Sequence, residues 1–207
     1  MRPLVPLLAT SLILAAPPVV AGQICDRLLP MGLLAPAGGF TTGCSRDFTL
    51  KLGASLGPDG NYILLDLPAC AAGPCAGLSG ISQLQCAAAE GYFCCLTSGD
   101  AVPTIQGTNV ASLAAGLTQR MSLDTDQRAG ICYSSYAGNG SRVAFVPLAQ
   151  FPGADRTQMT LLIFAQVFLV APPAGTGTST TVTFEFLAQD VTPASRADWG
   201  RLKLLYR

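Results

Sequence analysis

Twelve carboxylates and eight cysteines are the groups in this chain whose chemistry could be put to use, and histidine is missing altogether. Without an imidazole there is no histidine-based catalytic triad, no histidine-ligated zinc and no axial histidine for a haem. Asp124-Thr125-Asp126 alternates carboxylates as a calcium loop does at its start, but the sixth-position glycine and the closing glutamate are lacking, so a solvated loop is expected. A serine nucleophile would need Lys51 or Lys203 as its base, and neither stands in a Ser-x-x-Lys pattern. Gly138-Asn139-Gly140-Ser141 places its serine after both glycines, which suits a tight turn and not a nucleophile elbow. A carboxylate pair for glycoside cleavage could be drawn from Asp66, Asp124 and Asp126, provided that two of them stand within about 10 Å. Asp66, inside the apolar run 63–67, is the one that burial would perturb most. Asp100, after Ser98-Gly99, is of a type that shapes turns. None of these patterns carries a mechanism, so the chain is read as non-enzymatic, with no catalytic residue, no metal site and no cofactor.

The cysteines tell of a compartment. Residues 1–22 carry one positive charge, at Arg2, followed by an apolar run and by Val19-Val20-Ala21 ahead of Gly22. That arrangement reads as an export signal cleaved after Ala21, or as a retained N-terminal anchor, against which stand Pro3, Pro6, Pro17 and Pro18. Gln23-Ile24 before Cys25 does not make a lipobox. Outside a reducing cytosol, Cys25, Cys44, Cys70, Cys75, Cys86, Cys94, Cys95 and Cys132 read as disulfide partners whose connectivity the sequence leaves open. Cys94 and Cys95, being adjacent, are expected to bond to different partners. A thiolate metal site is disfavoured, because Cys70-x4-Cys75 and Cys86-x7-Cys94 lack the usual knuckle spacing. Twelve basic residues balanced by twelve acidic ones leave no excess to neutralise phosphates, so no nucleic acid is expected as a partner. Contact with a membrane is expected only through residues 1–22.

The elements that would position these groups are mostly strands. Alternation predicts strands over 47–52, 61–67, 142–148 and 181–187, the last with Val182, Phe184 and Phe186 inward and Glu185 outward. The first two, joined by Gly57-Pro58-Asp59-Gly60, are expected to form a hairpin. Pro147 demotes its strand to an edge or a strand end. Residues 159–170 form a twelve-residue apolar run, too short to span a bilayer and expected to be a buried central strand, followed by a loop over 171–180. Helices are predicted over 81–93 and from a cap at Thr108 or Asn109 through Val110, Leu113, Leu117 and Met121. A last short strand is expected over 202–206, whereas 23–45 and 122–141 read as loops. The expected fold is α+β: one β-rich domain over 23–207, with a mixed or antiparallel sheet, one or two short helices, and disulfides in its N-terminal two-thirds.

Several stretches taken in order carry a resemblance. They are Phe48-Thr49-Leu50-Lys51, Gly60-Asn61-Tyr62 leading into Leu65-Asp66-Leu67, and Gly99-Asp100-Ala101-Val102 with Thr104 and Gly107. Gly116-Leu117 with Arg120 follows, then Arg142-Val143 with Val146-Pro147-Leu148, ahead of Phe164 and Phe168. Together, over about residues 40–170, the chain resembles the extracytoplasmic C-terminal region of TadG-like proteins, accessory components of bacterial Flp (tight-adherence) pilus assembly. The resemblance implies an exported envelope protein of the periplasm or cell surface that acts by contact with pilus-assembly or other envelope proteins. Gly60, Asn61, Gly99 and Asp100 are then structural turn residues, able to take left-handed or turn geometry. Two other readings stand beside it: a secreted, disulfide-rich module binding carbohydrate or protein through exposed aromatics such as Tyr133 and Tyr136, and an acidic-site hydrolase.

Overall fold

The computed structural model of the chain describes residues 22–36, 39–44, 47–53, 59–105, 109–154 and 156–189. Its elements are β1 (Gln23–Ile24), β2 (Met31–Leu34), β3 (Phe48–Leu52), β4 (Asn61–Leu64), α1 (Gly80–Glu90), β5 (Leu96–Thr97), β6 (Ala101–Pro103), α2 (Val110–Ser122), β7 (Val143–Gln150), β8 (Gln158–Ala174) and β9 (Thr181–Gln189). The signal-like segment 1–21, Gly57-Pro58 and the strand expected over 202–206 lie outside the described residues.

The protein is mostly β with two short helices, and its sheet closes on itself. Strand order runs β8-β7-β2-β4-β3-β9, and β9 pairs back onto β8, making a six-stranded barrel to which β6 adds at the start of β8. Closure removes the free edges that an open sheet would present. The barrel is mixed: β2 with β7 and β3 with β4 are parallel, the other neighbours antiparallel. The alternation read in the sequence explains its interior. Phe48 and Leu50 of β3, Val182, Phe184 and Phe186 of β9, and Ala165, Val167 and Leu169 of β8 all point into one buried cluster. Helix α2 contributes Val110, Leu113 and Leu117 to that cluster, at helical spacing. It crosses α1 closely enough that a Cβ at Gly116 would stand 2.6 Å from Ala88 Cβ.

Strand β8 is apolar on both faces because both are covered. Residues 163, 165, 167 and 169 fill the barrel, while Phe164 and Phe168 face outward and are fully buried under other segments. The β7–β8 register shifts between Leu148 and Ala149, skipping Leu162. That bulge flips the alternation, so Leu161 and Met159 join Phe164 in a second, outer cluster with Leu28, Leu65, Leu67, Tyr92 and Leu96.

Several expectations are corrected. The strands β3 and β4 do not form a hairpin; they pair in parallel, Lys51 with Asn61 and Leu52 with Tyr62. A turn sequence dictates that the chain reverses but not which edges meet, and here β9 occupies one edge of β3 and β2 one edge of β4. Gly60, at φ 89°, sits so close beneath β2 that a Cβ would stand 2.6 Å from the Leu34 carbonyl oxygen. Pro147 lies inside β7, between β2 and β8, and not at an edge or strand end. The rung that a residue at 147 would give on the β2 side goes unneeded, because the Leu29 carbonyl accepts Met31 N–H at 2.8 Å instead. Residues 31–34, read as loop, form a barrel strand, and β8 runs four residues beyond the expected start of the following loop.

Candidate functional site

The chain leaves β4 through Leu65, which bridges antiparallel to Thr104 beyond β6. Ile105 N–H donates to Leu64 O at 2.9 Å and Asp66 N–H to Pro103 O at 2.8 Å. There the pairing stops. Pro68 has no N–H to offer, and its carbonyl is drawn off by Gln83 Nε2 at 2.7 Å and the Tyr92 hydroxyl at 3.0 Å. The two backbones diverge, opening a groove of about 380 Å³ between Asp66-Leu67-Pro68 on one side and Leu96 with Asp100-Ala101-Val102-Pro103 on the other. Leu67, Leu96 and Val102 are buried in its walls, Asp66 is exposed and Asp100 half-buried.

The opposite wall is fixed by the bulge in β8. The Ser98 hydroxyl donates to the carbonyl of Leu162, the skipped residue, and Gly99 N–H to Leu161 O at 2.8 Å. Gly99 has φ 97°, and Asp100 Oδ2 closes the turn by accepting Thr97 N–H at 2.7 Å. Thus Asp66-Leu67 and Asp100-Ala101-Val102, parts of two stretches of the resemblance that are far apart in the chain, line one groove. Among the described residues its lining holds two carboxylates and no cation, hydroxyl or thiol, which suits attraction of positive charge beside an apolar wall.

Asp124 and Asp126 are elsewhere, and the expected solvated loop is corrected: both are buried. Asp124 Oδ1 accepts Asp126 N–H at 2.7 Å, and Oδ2 accepts the Tyr136 hydroxyl and Arg142 N–H at 3.2 Å. Asp126 accepts Arg128 Nε at 2.8 Å, its terminal nitrogen at 2.6 Å, and Ala137 N–H at 3.0 Å. The hydrogen bonds of Arg128, then those of the Ala137 amide, hold the Asp126 carboxyl far below the usual carboxylate range. Burial, and then the bond to Asp124, push the Tyr136 phenol up to about 12. Lone pairs committed in this way to backbone amides and a guanidinium brace a loop; Asp66 stands apart from both of them, in the groove with Asp100.

Under this loop lies Arg142, wholly buried. Its guanidinium donates to Leu169 O at 2.7 Å, Val170 O at 2.6 Å and Arg128 O at 2.7 Å, and stacks 4.4 Å above the Phe168 ring. Tyr133 and Tyr136 come together over the same ring, with centroids 6.1 Å apart, 27° between planes, and Tyr133 43% exposed. Arg120, also buried, donates from Nε to Ala88 O at 2.8 Å and from a terminal nitrogen to Ser141 O at 3.0 Å; burial first, then Arg27, push its pKa down to about 10. Sequence reasoning named both arginines only within the stretches of the resemblance and gave neither a role. The one signal was a charged residue abutting an apolar run, as Arg142 abuts residues 143–149.

All eight cysteines are bonded: Cys25–Cys95, Cys44–Cys132, Cys70–Cys94 and Cys75–Cys86. Adjacent Cys94 and Cys95 do take different partners. Cys44, Cys132 and Glu185 bring potential ligand atoms within 4.8 Å, but the sulfur–sulfur bond removes both thiolates that a metal would use. Glu185 faces away from the barrel as expected, yet it is buried beneath Tyr133, whose N–H it accepts at 2.7 Å. Among the described residues, no helix is long and apolar enough to cross a membrane. No protein-family model, curated protein or solved structure matches the chain.

Proposed function

We propose that this chain is a non-enzymatic contact module of the bacterial envelope, exported and acting beside other envelope proteins as the TadG-like accessory components of Flp pilus assembly do. One observation carries the reading: the Leu-Asp-Leu and Gly-Asp-Ala-Val stretches converge on a single open groove, where Asp66 and Asp100 rim a wall of Leu67, Leu96 and Val102. A rigid, four-disulfide body around such a groove holds a docking surface in place at little entropic cost on binding. Deletion of the gene in its native host is the test. The expected results are impaired pilus assembly or surface adhesion in the deletion strain and, in the undeleted parent, an oxidised chain starting at Gly22 in the envelope fraction. Intact pili and adhesion, or a cytosolic chain with free thiols, would overturn it.

A second reading rests on the paired rings of Tyr133 and Tyr136, which offer a partly exposed aromatic surface of the kind on which sugars stack. A glycan array on which Tyr133→Ala abolishes a signal would favour it over protein docking.

A further inference from the structure

Beyond the groove's walls, the backbone of β6 offers a free edge. Asp100 O accepts Leu161 N–H at 2.9 Å, and Thr104 N–H donates to Thr157 O at 2.9 Å. Even-numbered residues of this stretch therefore turn their backbone groups toward β8, and odd-numbered ones turn away, as an antiparallel ladder requires. Pro103 uses its outward carbonyl to accept Asp66 N–H. Ala101, two residues nearer the mouth, is exposed with its N–H and carbonyl on that same outward edge, where Pro68 on the facing segment cannot reach them as a donor.

We infer that the groove, on the contact reading above, takes an extended polypeptide segment that adds to the outer edge of β6 at Ala101 and lays a lysine or arginine between Asp66 and Asp100. The backbone would supply strand addition and the alkyl stem would lie along Leu67 and Val102, leaving the cation at the carboxylate rim. Sign selects the occupant. Two carboxylates, with no cation among the described residues of the lining, repel acidic segments, phosphates and anionic lipid headgroups alike. The edge is one residue long, so the side chain and not the backbone must set most of the selectivity.

The test is a titration of the full ¹⁵N-labelled chain with the blocked peptide acetyl-Val-Lys-Val-Lys-Val-amide, followed by amide shifts. Saturable movement at Ala101, Val102 and Leu67 is expected, together with weakening of about fivefold to tenfold in Asp66→Lys. The same peptide with glutamate for lysine is expected to leave those amides unmoved, and N-methylation at alternate residues to weaken binding. Amides that stay still at saturating lysine peptide, or an Asp66→Lys variant that binds as tightly as the parent, would overturn the inference. The two levels separate in the host: a deletion without phenotype removes the contact reading itself. A deletion phenotype rescued in full by Asp66→Lys keeps that reading and removes this occupant.

Discussion

Two segments cover the outer face of β8, and opposite chemistry holds them. Residues 65–97, with the N-terminal stretch at 22–30, lie over Phe164, Leu161 and Met159 and are tied by three disulfides: Cys25–Cys95, Cys70–Cys94 and Cys75–Cys86. Residues 123–142 lie over Phe168 and share one disulfide, from Cys132 to Cys44. They are clamped by Arg142, Asp124 and Asp126, which bond to backbone groups and to Tyr136. A disulfide acts chiefly by restricting the unfolded chain and tolerates changes of pH. A buried guanidinium acts only in the folded geometry and leaves several carbonyls stranded when it is removed. The stapled side carries the open groove and the clamped side carries the paired tyrosines, so the two surfaces should fail under different insults.

Removing the clamp should have the largest effect. Arg142→Met keeps the apolar stem but strands the carbonyls of Leu169, Val170 and Arg128, and costs about 3–5 kcal/mol. For a domain of this size that lowers the melting temperature by roughly 6–20 °C. Arg142→Lys should recover only part, because one ammonium cannot span both β8 and the loop. Hydrogen exchange should show 123–142 opening first while 65–97 keep their protection. Equal opening of both would break the distinction between the regions.

Removing a staple is the converse experiment. Cys70→Ala with Cys94→Ala opens a loop whose ends are 24 residues apart and should cost about 3 kcal/mol. The loss should appear as faster exchange and proteolysis within 65–97, with the fluorescence of Tyr133 and Tyr136 unchanged.

The helix crossing joins the two regions, and Gly116→Ala tests how firmly. Its Cβ would press on Ala88 at 2.6 Å, an overpacking worth about 1–3 kcal/mol. Arg120 lies one turn further along α2 and spans from Ala88 O in α1 to Ser141 O in the loop. Displacing α2 should therefore loosen both segments together in hydrogen exchange, unlike either previous variant. Protection lost on one side alone would show that Arg120 does not couple them.

The difference between the regions also marks what could be read from residues alone. Period-two alternation was sufficient for β3 and β9, whose apolar residues share one covered face, and helical spacing for α2. The cysteines announced covalent ties by number, without their partners. Closure of the sheet could not be read, because it depends on which edges meet and alternation is blind to neighbours. β2 was hidden for a related reason: Met31-Gly32-Leu33 is buried on both faces, where alternation disappears, and sits among prolines and glycines that suggest a loop. The bulge at Leu162 lies within a run so uniformly apolar that no change of parity shows. For the groove, the acidic and turn-forming residues were visible singly. Their convergence needed the Leu65–Thr104 bridge, a contact between distant stretches that no local pattern encodes.

Acid should give the smallest and most selective effect, and it sharpens the comparison because sulfur–sulfur bonds do not titrate. In the folded chain, Arg128 and the Ala137 amide hold the Asp126 carboxyl below its unfolded value of about 3.9. A group with a depressed folded pKa contributes stability that is complete above the unfolded value. The contribution is lost as the pH falls through the folded one. Between neutral pH and about 5, then, the loop should be indifferent to pH; below about 4 it should weaken progressively. Asp126→Asn keeps the shape but not the charge, and should remove that acid-dependent loss while leaving the loop uniformly looser at neutral pH. The readout is the amide shift of Ala137, which accompanies the carboxylate, followed against that of Tyr92 on the stapled side. If Tyr92 moves in step with Ala137 across the same range, acid acts on the whole molecule, and the clamp is not a separately titrating unit.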